Sequence, residues 1–164
     1  ERARMLRQYG WDRQRLVRME GMNSRLDEIQ AAFLRVKLPH LSRCNEARAS
    51  LARRYRERLA GSVWTLPEIE GDDSAHHLYV IQVADRDGVT ARLREAGIGC
   101  GVHYSPPIHL MEGYRFLGCR EGDLPITEGA CRRVLTLPLY PEMPPEDVDT
   151  VCDAVLACGK EGLL

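Results

Sequence analysis

Asn23 and Arg25 are the first residues in this chain whose types and spacing suggest chemistry. They lie in the run Gly21-Met22-Asn23-Ser24-Arg25, directly before a segment with apolar residues at helical spacing. An amide and a guanidinium, held by a packed helix, can both donate hydrogen bonds to an anion. From the residues alone two interpretations are open: an ordinary capped helix with a surface arginine, or an anion-binding turn.

A second group of polar side chains lies in the loop His103-Tyr104-Ser105-Pro106-Pro107-Ile108-His109. Its two adjacent prolines fix the backbone, while two histidines and a tyrosine offer hydrogen-bonding groups. Binding residues are often found on loops that a rigid scaffold positions. From the residues alone two interpretations are open: a rigid loop with partly buried rings, or a substrate-facing loop.

The cysteines do not form a metal-binding pattern. The six of them contain no Cys-x-x-Cys pair and lie mostly among apolar residues, at positions 44, 100, 119, 131, 152 and 158. Reduced, buried thiols of a cytoplasmic protein are therefore expected, without a metal site.

Charge is distributed unevenly along the 164 residues. Residues 1–60 carry 15 Lys and Arg against 7 Asp and Glu, whereas residues 61–164 carry 8 against 17. A basic segment can meet nucleic acid or phosphate-bearing small molecules. No aromatic residues interleave with the arginines as stacking platforms, which argues against nucleic acid. No stretch approaches the roughly 18–20 apolar residues of a membrane span, so no membrane partner is expected.

The anion-binding turn is predicted to be positioned by helices. Residues 1–18 indicate a helix end and a loop broken at Gly10, and Ser24 with Asp27 resembles a capping pair. The following helix has an apolar face at helical spacing, made of Leu26, Ile29, Phe33 and Val36. Pro39 should interrupt it, and a second helix is expected over residues 41–60, capped by Gly61.

The remainder predicts a small sheet with helices packed on it, an α+β domain. Strands are expected over residues 78–83, 98–102 and 134–137. A helix capped by Asp87 should end at Gly97. A last helix should start at Pro145 and end at Gly159, with an inward stripe of Val148, Val151, Cys152 and Val155.

Three motifs, in order along the chain, resemble the sugar aminotransferase family named after DegT, DnrJ, EryC1 and StrS. The first is residues 21–38, which contain Gly21-Met22-Asn23-Ser24-Arg25-Leu26-Asp27-Glu28-Ile29-Gln30-Ala31-Ala32. The second is Gly97-Ile98 followed by His103-Tyr104, Pro106 and His109, with Ser105 where proline is usual. The third is Leu137-Pro138-Leu139-Tyr140-Pro141-Glu142.

This resemblance implies the aspartate aminotransferase-like fold (fold type I) of pyridoxal phosphate enzymes, usually homodimers. Such enzymes move an amino group, usually from glutamate or glutamine, onto a nucleotide-linked keto sugar. By this likeness Asn23 would bind the cofactor phosphate of the neighbouring subunit. Arg25 would lie at the same shared site, and His103, Tyr104 and His109 would line the substrate side.

The resemblance covers only the C-terminal portion of such an enzyme. The chain begins with Glu1, so we expect it to be part of a longer polypeptide, without catalytic residues of its own. Its two lysines, Lys37 and Lys160, lack a motif suited to forming a Schiff base with the cofactor. Residues 1–20 would be the end of the large domain, 21–61 connecting helices and dimer interface, and 62–164 the small domain. Without the large domain, the apolar face of the first helix should be exposed.

Two other functions remain open at this point. One is a sugar dehydratase of the same family, in which histidine replaces the Schiff-base lysine at a position outside this chain. The other is a non-catalytic binding or regulatory protein that uses the basic helices.

Overall fold

In the computed structural model, which describes residues 1–68 and 74–160, the chain divides into two units, Glu1–Leu41 and Ser42–Leu164. The first unit contains helix α1 (Arg2–Leu6), helix α2 (Glu28–Lys37) and a 3-10 turn over Leu38–His40. Between α1 and α2 the backbone is held by isolated antiparallel bridges, Gln8 to Asn23 and Trp11 to Val17. As Pro39 predicts, α2 is interrupted before the next helix starts.

Helix α2 starts later than the sequence predicts. Ser24 lies outside the helix because its backbone N–H donates to the Arg7 carbonyl at 3.0 Å, which keeps residues 22–24 paired with the segment after α1. Asp27 is the N-cap residue, and its side chain makes no capping hydrogen bond. The predicted Ser24–Asp27 capping pair is therefore wrong.

The predicted apolar face of α2 is exposed. Ile29, Phe33 and Val36 are 69%, 67% and 70% exposed, and no α2 residue is buried.

The second unit is built on a two-stranded antiparallel sheet. Strand β1 (Tyr79–Gln82) pairs with β2 (Val134–Leu137) in a register that places Tyr79 opposite Leu137 and Gln82 opposite Val134. The first and third predicted strands are confirmed. Residues 98–102 form no strand, and only Gly101 makes a bridge, to Thr136. Glycines at 97, 99 and 101 explain this difference, since glycine weakens strand pairing.

Four helices pack around this sheet: α3 (Leu41–Leu59), α4 (Arg86–Glu95), α5 (Pro125–Arg133) and α6 (Pro145–Lys160). Helix α3 was predicted, and Gly61 follows it with a positive φ of 73°. Helix α5 was not predicted. The core combines apolar side chains of α3, both strands, α4 and α6, including Leu51, Tyr55, Leu59, Ile81, Leu93, Leu135, Leu137, Val148, Val151, Cys152 and Val155. The predicted α6 stripe and the α+β class are thus confirmed.

Two helix ends differ from prediction. Asp85, not Asp87, caps α4, because its side chain accepts a hydrogen bond from the Gly88 backbone N–H at 3.0 Å. Gly159 lies inside α6 and does not end it. A Cβ at that position would lie 3.3 Å from the Trp64 ring, so the glycine there allows close packing.

All six cysteines are free. Cys152 and Cys158 are buried as predicted, and the other four are partly exposed. Burial raises the pKa of the Cys152 thiol to about 12, so this thiol stays protonated.

Candidate functional site

The predicted site residues fall into two groups, one in each unit, and each group is described by itself. The first contains Asn23 and Arg25, which are both exposed. Backbone hydrogen bonds on either side of Asn23 fix its position: Tyr9 N donates to Met22 O at 3.1 Å, and Ser24 N donates to Arg7 O at 3.0 Å. The turn is thus anchored to the segment after α1.

Two glycines allow this anchoring. A Cβ on Gly21 would lie 2.7 Å from the Leu6 carbonyl oxygen, and Gly10 has a positive φ of 77°. Real Cβ atoms do not approach a backbone this closely. Gly21, which begins the first motif, is therefore needed because the backbone of the preceding segment approaches it closely. The sequence alone indicated only that a turn lies here.

The two side chains of this first group are hydrogen-bonded to each other. Arg25 Nε donates to Asn23 Oδ1 at 3.1 Å. This bond uses the amide oxygen, so the Asn23 amide nitrogen and the two terminal nitrogens of Arg25 remain as donors. These donors suit the oxygens of a phosphate. The anion-binding role of this turn stays a prediction.

Asp12 holds the neighbouring turn of the first unit, a role that the sequence did not reveal. Its carboxylate accepts hydrogen bonds from Arg18 Nε at 2.7 Å and from the backbone N–H groups of Gln14 and Leu16. The bond to Arg18 is the main reason why the pKa of Asp12 is lowered.

The second group contains His103 and Tyr104. His103 is half-buried, and its Nδ1 lies 2.9 Å from Thr136 Oγ1 in β2. The Tyr104 ring meets the His103 ring edge-on, with centroids 5.1 Å apart, and is 73% exposed. These two rings therefore lie together at the loop, one anchored and one accessible.

His109 lies in a different environment from His103. It is only 7% exposed, and its Nε2 lies 3.1 Å from Oε1 of the buried Glu128. Glu128 also accepts hydrogen bonds from the backbone N–H groups of Gly122 and Leu124. The pKa of Glu128 is lowered, mainly by the Gly122 bond and further by His109. The assignment of His109 to the substrate side stays a prediction. In the structure, the hydrogen bond between His109 and Glu128 anchors the loop.

Sequence reasoning missed both partners of these histidines. Thr136 is a single polar residue within an apolar strand, and Glu128 lies in the unpredicted helix α5. The spacing of these residues along the chain gives no signal for either contact.

Over residues 1–68 and 74–160, no cluster of three or more His, Cys, Asp or Glu side chains is arranged to hold a metal ion. Among the described helices, none has the length and apolar character to cross a membrane.

Comparison with known proteins places these residues in a family context. The model of the DegT/DnrJ/EryC1/StrS aminotransferase family matches residues 1–156. The chain is 41% identical to the erythromycin biosynthesis sensory transduction protein EryC1 of Saccharopolyspora erythraea, over 92% of this chain and 42% of that protein. It is 40% identical to the dTDP-3-amino-3,4,6-trideoxy-alpha-D-glucose transaminase of Streptomyces venezuelae, over 94% of this chain and 41% of that protein.

Solved structures show the same relationship. The crystal structure of S. venezuelae DesV matches with a TM-score of 0.87 and 40% identity, over 94% of this chain and 42% of that one. Bacillus subtilis NtdA with bound cofactor PMP matches with a TM-score of 0.84 and 30% identity, over 95% of this chain and 38% of that one. The predicted fold type I class is confirmed, and the chain spans 38–42% of the length of these proteins.

Proposed function

Because this chain belongs to the DegT/DnrJ/EryC1/StrS aminotransferase family, as its motifs predicted, we propose that it acts as the C-terminal part of a pyridoxal-phosphate-dependent aminotransferase. The acceptor is a nucleotide-linked keto sugar, and the amino donor is glutamate or glutamine. The observation that carries this proposal is the anchored pair Asn23–Arg25, which presents amide and guanidinium donors within the family's first motif.

Relatives support the substrate class. The S. venezuelae relative is named a transaminase of a dTDP-linked amino sugar. A dTDP sugar and pyridoxal phosphate both carry phosphate groups. A guanidinium can bind a phosphate through two parallel hydrogen bonds, in a bidentate geometry, and an amide N–H adds one directional hydrogen bond. The donors in the first unit therefore match the anionic groups of both molecules.

We assign roles to this chain's residues as follows. Asn23 binds the cofactor phosphate held mainly by the neighbouring subunit of a homodimer, and Arg25 binds an anionic group at the same shared site. His103 and Tyr104 contact the sugar, while His109 contacts the substrate side and holds the loop through Glu128. Pyridoxal phosphate, when bound, supplies the group that carries the amino nitrogen between donor and acceptor.

The reactive lysine is proposed to come from outside this chain. Lys37 is exposed in the last turn of α2, and its amine has no hydrogen-bond or ion-pair partner among residues 1–68 and 74–160. The complete enzyme, meaning this chain with the large domain that the resemblance implies, would supply the lysine and most of the phosphate site. In that enzyme residues 1–20 end the large domain, 21–61 form the connecting helices and dimer interface, and 62–164 form the small domain.

A subunit-mixing experiment on the complete enzyme tests the shared site. Asn23→Ala should weaken cofactor retention, and a variant without the reactive lysine should be inactive. Mixing the two should restore about one quarter of wild-type activity, because half of randomly formed dimers are mixed and each has one intact site. Activity and absorbance of the bound cofactor are the measurements.

Asn45→Ala is the matched control, since Asn45 also accepts a hydrogen bond from an arginine, Arg48, at 3.2 Å, but lies outside the proposed site. It should retain the cofactor. If mixed dimers form and remain inactive, the shared-site proposal is wrong.

A further inference from the structure

Thr136 is a buried polar residue in a strand that is otherwise apolar. The residue is 6% exposed, and its neighbours Leu135 and Leu137 are buried in the core. Its hydroxyl oxygen lies 2.9 Å from Nδ1 of His103, 33 residues away in the sequence. A buried hydroxyl needs a hydrogen-bond partner, and the histidine ring supplies it.

The backbone fixes this pair independently of the side chains. Thr136 N donates to Gly101 O at 2.8 Å, and Gly101 N donates to Thr136 O at 3.1 Å. His103 is two residues beyond Gly101, so this bridge fixes the backbone from which the His103 side chain extends. The ring is therefore held next to the Thr136 hydroxyl of β2.

Gly101 also provides the space in which the ring lies. A Cβ at Gly101 would lie 2.9 Å from Cε1 of His103, closer than such atoms approach in proteins. The ring thus packs directly against the backbone of Gly101 and is bonded to Thr136, so its orientation is fixed by two contacts.

This arrangement leaves one nitrogen of the ring for a ligand. Nδ1 is bonded to Thr136, and Nε2 has no hydrogen-bond partner among residues 1–68 and 74–160. A threonine hydroxyl can either donate to Nδ1 or accept from it, and the role that it takes determines which ring nitrogen carries the proton. The contact therefore fixes the orientation of the His103 ring, and a single role of the hydroxyl would also select one tautomer.

We propose that Thr136 is a positioning residue, which acts through His103 by fixing the ring with Nε2 directed to the sugar substrate. This inference rests on the proposed function in one respect, the contact of His103 with the sugar. The hydrogen bond between Thr136 and the His103 ring lies within this chain, and its effect on the ring can be measured without substrate.

Nitrogen NMR of the imidazole groups tests whether Thr136 fixes the tautomer of the His103 ring. The His103 signals are assigned as those that disappear in His103→Gln. In the unmodified chain one tautomer should dominate, with well-separated Nδ1 and Nε2 shifts. In Thr136→Val, which keeps the shape and the backbone bonds, the two shifts should move together, as in a ring that exchanges between tautomers. Thr136→Ser should restore the separation.

Kinetics of the complete enzyme test the consequence for the reaction. Thr136→Val should lower kcat/KM for the sugar by roughly five- to tenfold, the factor expected for one neutral hydrogen bond. Thr136→Ser should stay within about twofold of wild type, since it keeps the hydroxyl. Thr90→Val is the matched control, because the Thr90 hydroxyl is buried without a partner among the described residues.

Gly101→Ala gives a second route if Thr136→Val does not fold, as judged by circular dichroism. Its methyl group would displace the His103 ring without altering Thr136, and it should lower kcat/KM and perturb the same NMR signals.

The outcomes separate the inference from the proposed function. If the wild-type enzyme transfers no amino group to any nucleotide-linked keto sugar, the proposed function fails. If the enzyme is active and His103→Ala is harmless, the inference is overturned while the function stands. The inference is also overturned if His103→Ala is damaging, but Thr136→Val matches wild type in both kinetics and imidazole shifts.

Discussion

At the scale of single residues, the loop of the second unit depends on one buried carboxylate. Glu128 accepts hydrogen bonds from His109 Nε2 and from the backbone N–H groups of Gly122 and Leu124. These three donors come from the segment between His103 and α5. The Glu128 side chain therefore ties three positions of this loop to α5.

We predict that Glu128→Gln destabilises the protein, because a single amide oxygen cannot replace a charged carboxylate that accepts from three donors. For a chain of this size the midpoint of thermal unfolding should fall by about 2–4 °C at neutral pH. Differential scanning calorimetry measures the change. Glu121→Gln, at an exposed position nearby, should have little effect.

The pH dependence of this effect follows from the lowered pKa of Glu128. Its pKa in the folded protein lies below its ordinary value of 4.5. The carboxylate therefore contributes stability that is fully present above pH 4.5 and is lost as pH falls through the lower, folded pKa. The difference between wild type and Glu128→Gln should shrink over that range. A difference that is constant with pH would show that the charge of Glu128 is not involved.

At the scale of elements, the start of α4 shows how a capping residue selects a helix boundary. The sequence predicted Asp87 as the cap, but it is the Asp85 side chain that accepts from Gly88 N. Asp87 lies in the first turn of α4, where its charge is favourable. Only the N-cap position has the non-helical backbone that lets a side chain reach back to the helix.

We predict that Asp85→Ala lowers the free energy of unfolding by about 1 kcal/mol, the usual cost of losing an N-cap side chain. Asp87→Ala is the matched control and should cost less, because it removes only an exposed charge and its ion pair with Arg86. Urea denaturation, followed by circular dichroism, gives both values. Equal losses in the two variants would mean that the capping bond contributes nothing beyond the charge.

At the scale of the whole molecule, the two units differ in how much apolar surface they bury. The second unit has a continuous core, whereas α2 in the first unit contains no buried residue. Several large apolar side chains of one helix are thus exposed together, a pattern typical of surfaces that pack against another protein part. The family resemblance predicts that a large domain and a second subunit cover this surface.

We predict that this chain by itself associates through α2. Phe33, 67% exposed, would bury enough apolar area in such a contact that Phe33→Glu weakens association at least about tenfold. Sedimentation velocity should show a species larger than the 18.6 kDa monomer for wild type and a shift to monomer for the variant.

Phe116→Glu is the control for this prediction, since Phe116 is 80% exposed but belongs to the loop of the second unit. It should leave association unchanged. A wild-type chain that stays monomeric at high micromolar concentration would contradict the prediction.

The sequence by itself determined those features that depend on local pattern. The β2 strand and the α6 stripe follow from the spacing of apolar residues. The family was indicated by three short motifs in order along the chain, each of which lies in one local run of residues. The polar groups of the first site are two residues apart, so a single turn brings them together.

The tertiary structure decided those features that join distant parts of the chain. His103 and Thr136 are 33 residues apart, and the pairing of β2 with Gly101 brings them together. His109 and Glu128 are 19 residues apart, and they meet because Glu128 lies in α5. The start of α2 was likewise set by a backbone bond from Ser24 to Arg7 that local capping rules do not include. A hydrogen bond depends on distance in space, and spacing along the chain fixes that distance only within a single helix, strand or turn.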